Sequence, residues 1–249
     1  MVDATAEQLA EWYDVLNPWG ASDDFYLALV TAATAVLDVG CGTGGLLRRA
    51  RESGHPGQLC GVDPDRAMLD RARAGSGVDC ILGDAASMRF DREFDLVVMT
   101  GHAFQELVDD DDLRASLEAI RSALTDDGRF AFETRNPLVR VWEQWTPENA
   151  TEVTGADGVA MRVAHRVQTP VTGDVVSLSE TFSGPMWDRP QVSRGRLRFL
   201  SVNALAGFLT EAGLAIEAQC GDWDRGPLTE QSHEIITIAT RTRARPPAR

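Results

Sequence analysis

The chain has 249 residues, 43% hydrophobic and 25% charged, and carries a formal net charge of −14. That composition fits one large α/β domain or a domain with a sizeable insertion. It holds no apolar run of about 18 residues such as a membrane helix needs, and its acidity disfavours nucleic acid, whose affinity rests on phosphate contacts. The four cysteines (Cys41, Cys60, Cys80, Cys220) make no C-x-x-C pair, so neither a disulfide framework nor a metal site is expected. With no signal-peptide core, a cytoplasmic protein is expected, a monomer or homodimer without a membrane partner.

In chain order, Leu9, Trp12, Tyr13 and Leu16 recur at helical spacing until Asn17-Pro18-Trp19-Gly20 breaks the period. A second short helix runs from Asp23 to Thr31, and residues 1–31 read as an aromatic-rich helical lid. The apolar run from Ala35 to Val39 is a buried strand, and it passes through Gly40-Cys41-Gly42-Thr43-Gly44-Gly45 into a helix at Leu46 and Leu47. Strands follow at Leu59–Asp63, Cys80–Ala85, Phe94–Thr100 and Gly128–Thr134, with helices around Met68 to Ala72 and from Asp109 to Leu124. This alternation predicts right-handed crossovers and a parallel sheet. After residue 135 the period changes to short alternating strands at 151–155, 159–168, 171–183 and 194–202, with turns at Asp157-Gly158 and Thr172-Gly173-Asp174. A helix from Asn203 to Ala212 and strands at Leu214–Cys220 and Glu234–Thr240 close the fold. The expectation is a Rossmann-like, mostly parallel seven-stranded sheet over 32–135 and 203–241. An antiparallel insertion at 136–202 covers the active site, and 242–249 form a basic tail.

The glycine turn has two readings. Gly40, Gly42 and Gly45 satisfy the dinucleotide pattern G-x-G-x-x-G, whereas Asp38, Gly40, Gly42 and Gly44 satisfy D-x-G-x-G-x-G. A pyrophosphate suits a helix N-terminus. A carboxylate beside the turn suits a cationic ligand better. Asp63 and Asp84 add carboxylates at the ends of the next two strands, where open α/β sheets bind their ligands.

This ordered series resembles the class I S-adenosylmethionine-dependent methyltransferases of small-molecule type. The turn Asp126-Asp127-Gly128 into the fifth strand departs from the family's usual proline and glycine. The resemblance implies S-adenosylmethionine as cofactor. Gly40, Cys41, Gly42 and Gly44 would pass under its methionyl part, within a network containing Asp38. Asp63 would hold the ribose hydroxyls, Pro64 and Met68 would lie near the adenine, and Asp84 and Ala85 would meet its edge, with Thr100 and Tyr13 completing the set. It further implies methyl transfer to oxygen or nitrogen of a small metabolite. His102 is the candidate base, and Trp19, His102, Glu133, Arg135 and Asn136 are candidate substrate contacts. A binding protein that uses the cofactor without methylating, and a nicotinamide-dependent oxidoreductase, are the alternatives.

Overall fold

A two-residue strand β1 (Val2–Asp3) opens the computed structural model, which describes residues 2–242 except 75–76, 156–157 and 186. Helices α1 (Ala6–Leu16) and α2 (Ala21–Ala32) lead into β2 (Ala35–Val39), α3 (Gly45–Glu52), β3 (Gln58–Asp63), α4 (Arg66–Ala72), β4 (Asp79–Leu82) and β5 (Phe94–Met99). Then come α5 (Asp110–Ala123) and β6 (Leu124–Arg135), four strands β7 (Thr151–Thr154), β8 (Ala160–Val167), β9 (Val175–Ser183) and β10 (Gln191–Arg198), and finally α6 (Val202–Glu211), β11 (Leu214–Cys220) and β12 (Glu234–Arg241).

The strands form a seven-stranded sheet in the order β11-β12-β6-β5-β2-β3-β4 and a five-stranded sheet in the order β1-β10-β9-β8-β7. In the larger sheet β12 runs antiparallel to both β6 and β11, and the other neighbours pair in parallel. Its strands are apolar on both faces because helices cover both. Val36, Leu59, Leu96, Val98 and Ala131 pack with Phe25, Tyr26, Leu46 and Leu47 of α2 and α3. Leu37, Val62, Val97, Phe130 and Phe132 pack with Leu113, Leu117, Leu205 and Leu209 of α5 and α6. The smaller sheet has its own core, where Met161, Val163 and Phe182 close on Trp12 of α1.

Several boundaries differ from the sequence reading; the expected strand at 194–202, for one, runs from Gln191 to Arg198. Strand β4 ends at Leu82 rather than Ala85, because Leu82 pairs with Asp63, the last residue of its only neighbour. Asp84 instead opens a turn in which its carboxylate accepts from the Ser87 N–H at 2.7 Å. Val2–Asp3 pairs with β10 inside the expected helical lid, and two residues are too few to show a strand period. Strand β12 runs one residue past the expected Thr240, and the Arg241 guanidinium donates to the carbonyls of Arg121 and Leu124. Asp157 of an expected turn and residues 243–249 of the expected tail lie outside the described residues.

Candidate active site

The carboxyl edge of the large sheet holds a cleft of about 760 Å³. Its walls include Tyr13, Trp19, Asp38, Gly40, Cys41 and Thr100. Gly40 turns with φ +77°, and a Cβ there would stand 2.9 Å from the Cβ of Ala103, so only glycine fits. Tyr13 lies across the turn, its ring 3.8 Å from where a Gly42 Cβ would sit, and burial pushes its phenol up to about 12. The next residue, Asp14, accepts from the Thr43 hydroxyl at 2.5 Å. Cys41 is buried and its thiol is pushed far up by desolvation, which makes it packing rather than a nucleophile.

Asp38 is 1% exposed and one carboxylate oxygen, Oδ1, has no hydrogen-bond partner among the described residues. Burial, then the Asp63 and Glu133 charges, push its carboxyl up to about 7. A buried acceptor without a donor costs free energy that a cationic ligand group offsets. At the end of β3, Asp63 accepts from the Gly42 N–H at 2.7 Å and from the Asp65 N–H at 2.8 Å, which ties the glycine turn to that strand.

Beyond Thr100 the backbone turns sharply. His102 has φ +63°, a conformation uncommon for a residue with a side chain. Two carboxylates hold it there. Glu133, buried on β6, accepts from the His102 N–H at 2.7 Å and from the hydroxyl of Tyr26. Desolvation holds the Glu133 carboxyl above the usual range and Tyr26 well above its own. Glu234, the first residue of β12, faces the imidazole Nε2 at 3.0 and 3.1 Å through its two oxygens. Because β12 runs antiparallel, Glu234 pairs with Arg135 at the end of β6 and reaches the same edge of the sheet. Arg135 donates from Nη1 to Gln105 Oε1 at 3.0 Å, and its guanidinium lies 5.3 Å from the Trp145 ring centre.

A second cavity of about 1000 Å³ lies between this edge and the small sheet, and Gly101, His102 and Arg135 line it as well as the first. Register fixes which sheet residues face it. Phe182 packs on Trp12. Leu178 and Glu180 share its face on β9, and their neighbours across the sheet are Val167, His165, Gly195 and Ser193. Glu106, in the turn after β5, completes the wall.

Residues 36–128 match the family model described as a methyltransferase domain. That segment, from β2 into β6, is similar to a methyltransferase domain. The residues present fit S-adenosylmethionine, the cofactor the resemblance implies: Asp38 Oδ1 is an unsatisfied buried acceptor suited to its cationic methionyl end, beside a turn with no Cβ at Gly40. No curated protein matches the sequence. The fold is shared with the CcbJ methyltransferase from Streptomyces caelestis at 20% identity, TM-score 0.75, covering 96% of this chain and 98% of that one. The sugar N-methyltransferase KedS8 from a Streptoalloteichus species is 20% identical at TM-score 0.74, covering 98% and 96%. CalS10, an amino pentose methyltransferase from Micromonospora echinaspora solved with S-adenosylmethionine bound, is 22% identical at TM-score 0.71, covering 94% and 97%.

The cleft gathers Tyr13, Trp19, Asp38, Gly40, Cys41, Thr100, His102, Glu133 and Arg135. Gly42, Gly44, Asp63, Met68, Asp84 and Ala85 lie beyond its walls, on the turn and around the ends of β3 and β4. Pro64 lines a separate depression with Asp65 and Arg66. Asn136 lines neither cavity. Its side-chain amide donates to the carbonyls of Thr229, Glu230 and Ser232, its Oδ1 accepts from Leu138, and it is 3% exposed. Trp223 lines the cleft, while Trp187 packs on Trp12 and Trp142 on Phe199. The sequence reading missed Glu234, Tyr26 and Glu106. Only Glu234 left a signal, a carboxylate starting the closing strand. No helix among the described residues is long and apolar enough to cross a membrane.

Proposed function

We propose that the protein transfers the methyl group of S-adenosylmethionine to an oxygen or nitrogen of a small metabolite. The observation that carries this reading is that the two cavities share Gly101, His102 and Arg135, with the small sheet forming one wall of the larger. A walled cavity of about 1000 Å³ suits a small molecule.

In this reading Asp38 takes the methionyl ammonium, Asp63 the ribose hydroxyls, and Asp84 with the Ala85 N–H the adenine edge. The cofactor supplies a sulfonium-bound methyl group and leaves as a neutral thioether. The acceptor must give up a proton when it is methylated, and in this reading His102 takes it. A carboxylate can only accept, so Glu234 holds the imidazole with its proton on Nε2. That leaves Nδ1, which has no partner among the described residues, as the basic nitrogen. Glu234 would then stabilise the imidazolium, and Glu133 with Tyr26 would keep the His102 backbone in its turn.

The test is transfer of labelled methyl from S-adenosylmethionine to pooled small amines and alcohols, with protein and oligonucleotide pools alongside. Label in the small-molecule pools alone is expected. Label passing only to macromolecules overturns the acceptor class, and S-adenosylhomocysteine failing to bind the folded protein overturns the whole reading.

A further inference from the structure

The larger cavity presents four ionisable side chains from its walls: His102, Glu106, Arg135 and Glu180. Arg166, Arg194 and Arg196 also border it, but they alternate with Val167, Ser193 and Gly195 and so point from the opposite face of the small sheet, where Arg194 pairs with Asp3. Two of the four are matched inside the protein. His102 meets Glu234 at 3.0 Å, and Glu180 accepts from His165 at 3.0 Å.

The other two are not. Glu106 makes no side-chain hydrogen bond or ion pair among the described residues. Arg135 uses one nitrogen on the neutral amide of Gln105 and has no carboxylate within 4.0 Å among them. One wall thus carries a free anion and a half-buried free cation that do not bind each other. A half-buried cation such as Arg135 is normally paired, because desolvating a charge alone is costly. Each also shows that cost: burial, then the Asp63 charge, push Glu106 up, and burial pulls Arg135 down.

We propose that the methyl acceptor is a small zwitterion, its ammonium met by Glu106 and its carboxylate by Arg135. This rests on the reading of the larger cavity as the acceptor site. Arg135 offers a planar fork of donors of the kind that binds carboxylates in two-point fashion. Gly195 lets the acceptor in, since a Cβ there would touch only Leu178, at 4.0 Å. A glycine inside a strand marks a place where a ligand comes close to the backbone.

The experiment titrates the protein, saturated with S-adenosylhomocysteine, with a homologous series of ω-amino acids from glycine to aminohexanoate, and with the alkylamine and alkyl carboxylate matched to each. Calorimetry gives affinities, and circular dichroism checks that each variant is folded. At least one amino acid is expected to bind about tenfold or more tightly than both of its matched single ions. Arg135→Gln is expected to reduce it to the level of the amine, and Glu106→Gln to that of the carboxylate. In Glu106→Gln S-adenosylhomocysteine affinity stays within about twofold of the parent, and in Arg135→Gln it falls by less than the affinity for the amino acid does. No amino acid outbinding its matched ions overturns the proposal. So does a loss of S-adenosylhomocysteine affinity in Arg135→Gln as large as any loss for the amino acid, which assigns the guanidinium to the cofactor's carboxylate. Failure of the parent protein to bind S-adenosylhomocysteine overturns the methyltransferase reading instead.

Discussion

Glu234 and His102 are 132 positions apart in the chain, yet both carboxylate oxygens of Glu234 lie within 3.1 Å of the His102 imidazole Nε2. A carboxylate on one ring nitrogen leaves the other free to accept a proton and stabilises the imidazolium that results. Glu234→Gln removes the charge with little change of shape. It is expected to lower turnover by about 10- to 100-fold while S-adenosylhomocysteine affinity stays within about twofold. Single-turnover methyl transfer beside calorimetry checks this. Unchanged turnover would remove Glu234 from the reaction, and equal losses in both measurements would make the pair a cofactor contact.

Asp38 couples cofactor binding to pH. Its carboxyl is raised from an ordinary 3.8 to about 7 by burial, so the folded protein holds this proton more tightly than the unfolded chain does. The stability that follows is fully present below 3.8 and is lost as pH rises to about 7. A cationic ligand against Asp38 favours the ionised form, so binding follows the opposite course. The affinity for S-adenosylhomocysteine is expected to tighten between about pH 6 and pH 8 and then level off. Asp38→Asn should bind more weakly and lose that slope. A variant that kept the full slope would place the titrating group elsewhere.

The core of the fold was legible because its strands are buried on both faces. Leu37 and Val39 go to one side of the sheet and Val36 to the other, and such a run reads as a parallel strand without any partner in view. The glycine turn and Asp38 were legible for the same reason, since both sit where an apolar run stops. Glu234 was hidden by topology, because only the antiparallel pairing of β12 with β6 carries its start to the edge where Arg135 ends. Glu106 sits in a single turn, Ala103–Glu106, with no period to betray its direction. Asn136 misled through its position alone. A polar residue just past a strand end resembles a ligand contact, but its amide turns inward to a loop 93 to 96 positions further on.

That inward amide has a cost when lost. Asn136→Ala leaves the carbonyls of Thr229, Glu230 and Ser232 without their shared donor in a site only 3% exposed. Unsatisfied buried groups of this kind cost about 1 to 3 kcal/mol each at most, and the shared donor brings the total to about 2 to 3 kcal/mol. Chemical denaturation should show the midpoint falling with the slope unchanged. A variant as stable as the parent would mean that water replaces the amide.

Gly195 separates the cavity from the cofactor site in a way that a charge deletion does not. It lies in the interior of β10 opposite Leu178, and its φ is not among the positive values that favour glycine. A Cβ there meets only Leu178, at 4.0 Å, and valine gains the β propensity that glycine lacks. Removing glycine also restricts the unfolded chain, which is worth about 0.4 to 1 kcal/mol. Gly195→Val is therefore expected to melt at the same temperature as the parent or higher, and to bind S-adenosylhomocysteine equally well. Methyl transfer to the acceptor should fall by about tenfold or more, because the added side chain occupies the space facing Glu180 and Arg135. Thermal denaturation, calorimetry and the labelled-methyl assay read the three quantities independently. If transfer persisted at the parent rate in a stable, cofactor-binding variant, the acceptor would have to reach His102 from the cofactor side.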